Sequence, residues 1–385
     1  KPRPVGGELH FFNYGRFRAP RIIGLAIIFA FALTLGTPFI NAAHGGVWYV
    51  DGDAASSGDG TSWATAFNTV QEAIDAAQKP DEIWVRAGTY ALSNRIDLNK
   101  AVRLYGGFAG TETERNQRNW RDNETIIDGA SVYHCFYVEM PPFETLHPEI
   151  NGFVIANGTA NGVDADPDYN GKGGGIFNRQ SPTLIQNCIF RNNTATDYAG
   201  GGGAIFIAFV NAPTIINCEF YDNTAISGNN AAHGGAIHSQ SSNPTIAGCV
   251  FQGNTADGVG GALFINGNTP SIINCTFNGN TAQGWQDGGG GGAIYNSNGA
   301  APDITNCILW GDAATTTSPP FAPEIAKDSI SNPSVFYCDI GQAGYAGTNG
   351  NINDDPQFLD AGNRDLHIDP VSYTHLRAHE TVLDL

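Results

Sequence analysis

The chain has 385 residues, of which 49 are glycine and only 15% are charged, with a single methionine. That composition excludes a long helical or coiled-coil protein and suits an all-β chain with many turns. A net charge of −18 sets the chain against phosphate backbones and anionic membranes, so nucleic-acid binding is excluded as a function class.

In chain order, Arg16, Arg18 and Arg21 precede the apolar run IIGLAIIFAFALTLG, which is too short to span a bilayer comfortably. Asn41-Ala42-Ala43 then offers small residues for cleavage, so residues 1–43 read as a secretory signal peptide, with an uncleaved anchor as the alternative. Five of the 19 Lys and Arg residues lie before position 44, so cleavage leaves a still more acidic protein, secreted or on the outer cell surface. Contact with a membrane is expected only through an anchor outside this sequence. Export places the seven cysteines in an oxidising compartment. Their number is odd, however, and no pair has the C-x-x-C spacing of a metal site.

Residues 47–130 read as an N-terminal cap with the first coils. In FNTVQEAIDAAQ (67–78), Phe67, Val70, Ile74 and Ala77 fall at helical spacing and predict a short helix covering the open end of the first coil. EIWV (82–85) and AVRLYGGF (101–108) are early strands, and the charged stretch 111–124 is a loop. Regular stacking is expected to start at TIIDG (125–129) and to run to about Leu366, within a repeat domain at 131–370.

The repeat itself is explicit. PTLIQNCIFRNNTA (182–195) returns as PTIINCEFYDNTA (213–225), PTIAGCVFQGNTA (244–256) and PSIINCTFNGNTA (270–282). From Cys188 the cysteines Cys218, Cys249, Cys275, Cys307 and Cys338 follow at intervals of 30, 31, 26, 32 and 31 residues. Each unit holds about three short β-prone runs, too few to bury an apolar face alone, so the units must stack. Ile215 and Phe220 are both strongly apolar but five residues apart, which strict strand alternation places on opposite faces. A residue between them must leave β geometry. Asn187, Asn217, Gly248, Asn274 and Asn306, each preceding a cysteine, are the types that tolerate positive φ. The cysteines then form one inward column of stacked thiols. Asn193, Asn223, Asn254 and Asn280 mark a second corner, where stacked amides bond to each other and to the turn. The fold expected is an all-β, right-handed parallel β-helix with a capping helix. The terminal stretch VSYTHLRAHETVLDL (371–385) has no such pattern and reads as a non-native tail.

Chemistry has few footholds. Asp164, Asp166, Asp168 and Asn170 alternate on a loop and suit Ca²⁺. This is not an EF-hand, because Tyr169 and Gly175 stand where that loop needs Gly and Glu, and a solvated acidic loop is the competing reading. Asp197, Asp257 and Asp287 share a loop position, and Asp257 and Asp287 are weak candidates for a paired-carboxylate hydrolase. Loop aspartates also serve turns. No Lys or Arg occurs between Arg191 and Lys327, so the central coils lack a basic residue for β-elimination. His233 and His238 have no evident third ligand, and GGGGGAI (288–294) lacks the Lys-Ser/Thr of a phosphate loop. After the aliphatics Ile176, Ile205, Ile237, Leu263 and Ile294 comes the column Phe177, Phe206, His238, Phe264 and Tyr295. With the aliphatics inward, this aromatic column faces outward as a ligand platform; the opposite parity buries the rings.

The glycine-Ala-aliphatic and F-x-x-N motifs (Phe190–Asn193, Phe220–Asn223, Phe251–Asn254, Phe277–Asn280) resemble the repeat of polymorphic outer membrane proteins. WYVDGDAASSGDGTSWATAFNTVQEAIDAAQKPDEIWVRAGTY (48–90), LYGGFAGTETERNQRNW (104–120), TIIDG (125–129) and DDPQFLDAGNRDLHI (354–368) resemble secreted bacterial β-helix proteins of the pectin-lyase-like superfamily. The resemblance implies the fold and leaves two functions open, because one fold hosts many sites. The first is a monomeric, non-catalytic protein binding a polysaccharide or a cell-surface protein, with calcium as its one candidate cofactor. The second is a polysaccharide lyase or glycoside hydrolase.

Overall fold

A computed structural model describes residues 45–141, 146–161, 171–196, 200–209, 212–228, 231–284, 289–315 and 322–368. Apart from one terminal hairpin, each short strand pairs in parallel with its counterpart one coil further on. Four ladders result. A front sheet of ten strands runs from Val47–Val50 to Ser334–Phe336, and a side sheet of nine from Gly88–Ala91 to Asp339–Ile340. A back sheet of eight runs from Ile96–Leu98 to Ile325–Lys327, and a corner ladder of six two-residue strands from Thr159–Ala160 to Ala313–Ala314. The chain is a parallel β-helix. The stretches expected to be a signal peptide (1–43) and a non-native tail (371–385) lie outside the described residues.

The corners lie where backbone chemistry allows them. Between Ile215 and Phe220, Asn217 adopts φ 51°, and Asn187, Gly248, Asn274 and Asn306 adopt 55°, 60°, 54° and 56°. The one-residue change of phase turns both flanking apolar residues inward, and Ile215 and Phe220 are fully buried. Register then repeats the arrangement: Ile185, Ile215, Ile246, Ile272, Ile304 and Val335 lie against one another in the front sheet. In the side sheet Phe190, Phe220, Phe251 and Phe277 stack with centroids 4.8, 4.6 and 4.7 Å apart. Cys188, Cys218, Cys249, Cys275 and Cys307 form the expected inward column, unbonded, and Cys338 extends it. Cys135 stands apart, in the back-sheet column where later coils carry Gly175 and Ala204.

At the second corner Asn193, Asn223, Asn254 and Asn280 form a ladder. The Nδ2 of each donates to Oδ1 of the next at 2.9 Å, and Asn280 donates to Asp312 at 2.7 Å. The same Nδ2 groups also donate to Ile155, Phe190, Phe220 and Phe251 carbonyls of the preceding coil, which the corner would otherwise leave unpaired.

Stacking begins earlier than TIIDG and ends before Leu366. Val47–Val50 already pairs with Glu82–Arg86, because Trp48 and Tyr49 lie within a strand that needs no repeat motif to pair. The parallel ladder ends at the bridge between Asp339 and Ile352. Residues Phe358–Asp360 and Asp365–Ile368 form an antiparallel hairpin instead. It returns along the side sheet, where Ala361 O accepts from Gln252 Nε2 at 2.6 Å and Arg364 pairs with Asp222.

Both open ends are closed by side-chain amides. Helix α1, Val70–Ala76, is shorter than the periodicity of 67–78 predicts, because Thr69 and Glu72 form a capping box that fixes its start. Phe67 remains outside the helix and bridges Val50. From α1, Gln71 accepts from Asp97 N at 2.8 Å and donates to Asp97 O at 3.4 Å, standing in for an absent strand. At the other end Gln342 accepts from Glu324 N and Ile325 N at 3.0 and 2.9 Å and donates to Ile325 O at 3.2 Å. Asn351 similarly bonds Cys338 N and Val335 O.

Two predictions follow from the interior. Phe251→Ala removes one ring from the side-sheet stack and should cost about 3–5 kcal/mol in denaturant unfolding. The second concerns the ladder's end, where Glu324 contacts Asp312 and both carboxyls are almost fully buried. Asp312 Oδ2 and Glu324 Oε2 have no other partner among the described residues, so a shared proton satisfies both. Burial raises both carboxyls, and Asp312 raises Glu324 further. The folded state therefore binds more protons than the unfolded chain. Their stabilising contribution is complete below about pH 4 and is lost as pH climbs toward the raised values. Glu324→Gln keeps a donor to Asp312 at every pH. It should raise the melting temperature at about pH 8 and change it little at about pH 4; equal shifts at both would refute the shared proton.

Candidate functional site

The back sheet carries the sequence's aromatic column, and the parity is as expected. Ile176, Ile205, Ile237, Leu263 and Ile294 join the interior, and Phe177 and Phe206 form a separate cluster on the outer face with Tyr137. The column is nevertheless not an exposed platform. Phe177 and Phe206 are 0% exposed, His238 4% and Phe264 5%, and Tyr295 is half-buried.

Stacking geometry accounts for this. In-register rings pile face to face: Tyr137 on Phe177 at 5.0 Å, Phe177 on Phe206 at 5.6 Å, Phe264 on Tyr295 at 6.0 Å. His238 meets Phe206 and Phe264 edge-on at 4.9 and 4.7 Å. Lys172 lies over Phe206 at 5.2 Å, and His233 lies 4.6 Å from Phe264. The faces of Phe177, Phe206 and Phe264 contact one another or these covers, so they cannot stack on a sugar, whereas Tyr295 is covered on the side of Phe264. The expectation of a ring platform at Phe177, Phe206, His238 and Phe264 is thus corrected to a buried pile.

The other candidates separate likewise. Asp164, Asp166, Asp168 and Asn170 lie outside the described residues, as do Asp197 and Asp287. Asp257 is described and is 5% exposed. Its carboxylate accepts from Ser227 N at 2.6 Å, Gly228 N at 2.9 Å, Ala232 N at 3.1 Å and Ser227 Oγ at 3.1 Å. That arrangement ties Ser227, Gly228 and Ala232 to one carboxylate and engages both of its oxygens in a structural role. Arg191 points outward as alternation requires and lies 3.7 Å from Glu124 of the 111–124 loop.

A feature missed by the sequence reading lies at the N-terminal end of the ring pile. An open cavity of about 240 Å³ is lined by Arg95, Asp97, Asn99, Tyr137 and Glu139. Its residues come from the outer face of successive back-sheet strands, with Asp97 beside Tyr137 and Glu139 beside Arg179. Arg95 bonds Asp97 at 2.8 Å and covers the Tyr137 ring at 4.0 Å. Tyr137 OH donates to Glu139 at 3.1 Å, and Arg179 lies 3.7 Å from Glu139. The period-2 pattern of IDLN (96–99), FYVE (136–139) and IFNR (176–179) carries this face. Only IFNR follows a glycine cluster, so the other two strands did not align by motif.

The histidines make the pile sensitive to acid. Burial lowers His233 to about 4, partly offset by Asp257, and holds His238 well below the usual histidine range, with His233 and Lys172 adding to the effect. Both are neutral when folded, so their contribution is intact above about pH 6.5 and is lost as pH falls. His238→Phe keeps the ring and removes the titration. It should melt at a higher temperature than wild type at about pH 5, and the gap should narrow by about pH 8.

Residues 120–314 match the family described as "Right handed beta helix region". Among solved structures the chain is similar to the pectate lyase Pel9A, with 14% identity over 84% of this chain and 85% of that one and a TM-score of 0.48. It is also similar to the deglycosylated pectin methylesterase from Aspergillus niger, with 15% identity over 82% and 92% and a TM-score of 0.40. A rhamnogalacturonan lyase gives 14% identity over 87% and 99% with a TM-score of 0.33. No curated protein sequence gives a significant match. With the matched segment spanning half of its length, the chain belongs to the right-handed β-helix family.

Proposed function

We propose that this chain is an exported, monomeric β-helix that binds a neutral polysaccharide without turning it over. The observation that carries this reading is the outer face of the front sheet. Over four coils its two outward columns are Leu184, Thr214, Thr245, Ser271 and Gln186, Ile216, Ala247, Ile273. All eight are half-buried and uncharged, and the corner residues Asn187, Asn217 and Asn274 border them with side-chain amides. A polymer of neutral units meets hydroxyls at Thr214, Thr245 and Ser271, aliphatic groups at Ile216, Ala247 and Ile273, and corner amides on three of the four coils, on strands about 4.8 Å apart. Nearly neutral, partly apolar surface with hydrogen-bonding edges suits sugars better than it suits ions.

Further support comes from the groups that a hydrolase or lyase needs. Asp257 is engaged by four donors, and Arg191 is held at the surface beside Glu124. A protonated, solvent-facing guanidinium is a poor base. The segment before residue 44 and the resemblance to polymorphic outer membrane repeats support export to the cell surface, and the amide-capped ends support a monomer. Calcium at Asp164, Asp166, Asp168 and Asn170 remains part of the proposal and should raise the melting temperature with ion concentration if bound.

Co-sedimentation with insoluble neutral polysaccharides tests the reading. Wild type should be retained, and Ile216→Lys with Ile273→Lys should lower retention about tenfold or more without lowering the melting temperature. Polygalacturonate and alginate should give no unsaturated, ultraviolet-absorbing product. Such product, lost in Arg191→Ala, would make the protein a lyase instead.

A further inference from the structure

We propose that the cavity bounded by Arg95, Asp97, Asn99, Tyr137 and Glu139 is a recognition site for one neutral sugar unit, at a chain end or branch. This inference rests on the reading of the protein as a glycan binder and adds a second, separate site to it. Its volume of about 240 Å³ falls below the roughly 300–1,000 Å³ of pockets that enclose drug-sized ligands. That space matches one sugar ring in size.

Charge pairing selects the ligand class. Asp97 is bonded to Arg95 at 2.8 Å, and Glu139 receives the Tyr137 hydroxyl at 3.1 Å with Arg179 3.7 Å away. One guanidinium and two carboxylates line the cavity, and Arg179, outside that lining, lies 3.7 Å from Glu139, so each carboxylate has a guanidinium beside it. An anion would repel the carboxylates and a cation the guanidiniums. Sugar hydroxyls both donate and accept, so a vicinal pair can bridge carboxylate and guanidinium without disturbing the ion pairs. Tyr137 lies between Arg95 and Phe177, at 4.0 and 5.0 Å, and therefore offers the cavity its edge and hydroxyl. Exposed Asn99 adds an amide at the rim.

The cavity is also rigidly backed. Ile96, Leu98, Phe136 and Val138, which alternate with its lining residues, are all buried in the interior. Three strands in register hold the outward side chains at fixed spacing, which lowers the ordering cost of binding. The sheet used here is the back sheet, whereas the polymer face is the front sheet. The two sites can therefore be lost independently.

The test uses the whole protein and the methyl glycosides of glucose, galactose and mannose, with galacturonate as the charged control. Saturation-transfer NMR and calorimetry should detect at least one neutral glycoside with a Kd in the millimolar range, bound more tightly than galacturonate. Asp97→Asn and Glu139→Gln should each weaken it about tenfold or more, and the exposed Asn99→Ala should weaken it less, all with wild-type melting temperatures. Ile216→Lys with Ile273→Lys should leave glycoside affinity unchanged. The proposal fails if no glycoside binds at tens of millimolar, if galacturonate is preferred, or if Asp97→Asn and Glu139→Gln bind as wild type. Retention of polysaccharide with no glycoside binding would reject this cavity alone. Glycoside binding without retention would reject the front-sheet reading and keep the cavity.

Discussion

Parallel, in-register hydrogen bonding between coils lays each side chain against its counterpart one coil away. Strands in such a ladder are about 4.8 Å apart, close to the separation at which aromatic rings and amides make their best mutual contacts. Every coil therefore repeats whatever its predecessor found favourable. Phenylalanines stack at 4.6–4.8 Å, the asparagines form a continuous hydrogen-bonded row, and the thiols fill an unbonded column. A misfit in one coil is likewise transmitted to both neighbours.

The same ladder creates the fold's main difficulty, which is how to stop. A terminal strand leaves donors and acceptors that another chain could extend. Here Gln71 and Gln342 each bond a terminal back-sheet strand on both its donor and acceptor sides, as a peptide would. The asparagine row needs its own ending, and Asp312 supplies an acceptor that needs nothing beyond it except a proton shared with Glu324. Buried acids that favour low pH at one end are balanced by buried histidines that favour higher pH on the back sheet.

Outer faces are where function can vary, since they do not set the register. Three outcomes occur on three sheets. The back sheet covers its rings and leaves a polar cavity at one end. The front sheet keeps an uncharged, half-exposed face. The side sheet is crossed by the 111–124 loop through Arg121 and Glu219 and by the terminal hairpin at Tyr221 and Gln252.

The corners, the inward columns and the asparagine row were legible in the sequence because their causes are local. Positive φ restricts Asn217 and its equivalents to a few residue types, and alternation on either side fixes which neighbours turn inward. What lies over an outward column is not a local property. Phe206 is buried because Lys172 and a neighbouring coil cover it, and Asp257 is engaged by a loop some 25–30 residues earlier. Glu324 meets Asp312, and Tyr137 meets Arg95 and Glu139, only once the coils are stacked. Sequence alone thus determined which residues point inward. Tertiary structure decided which outward residues remain open to a ligand, because exposure depends on chain brought from elsewhere.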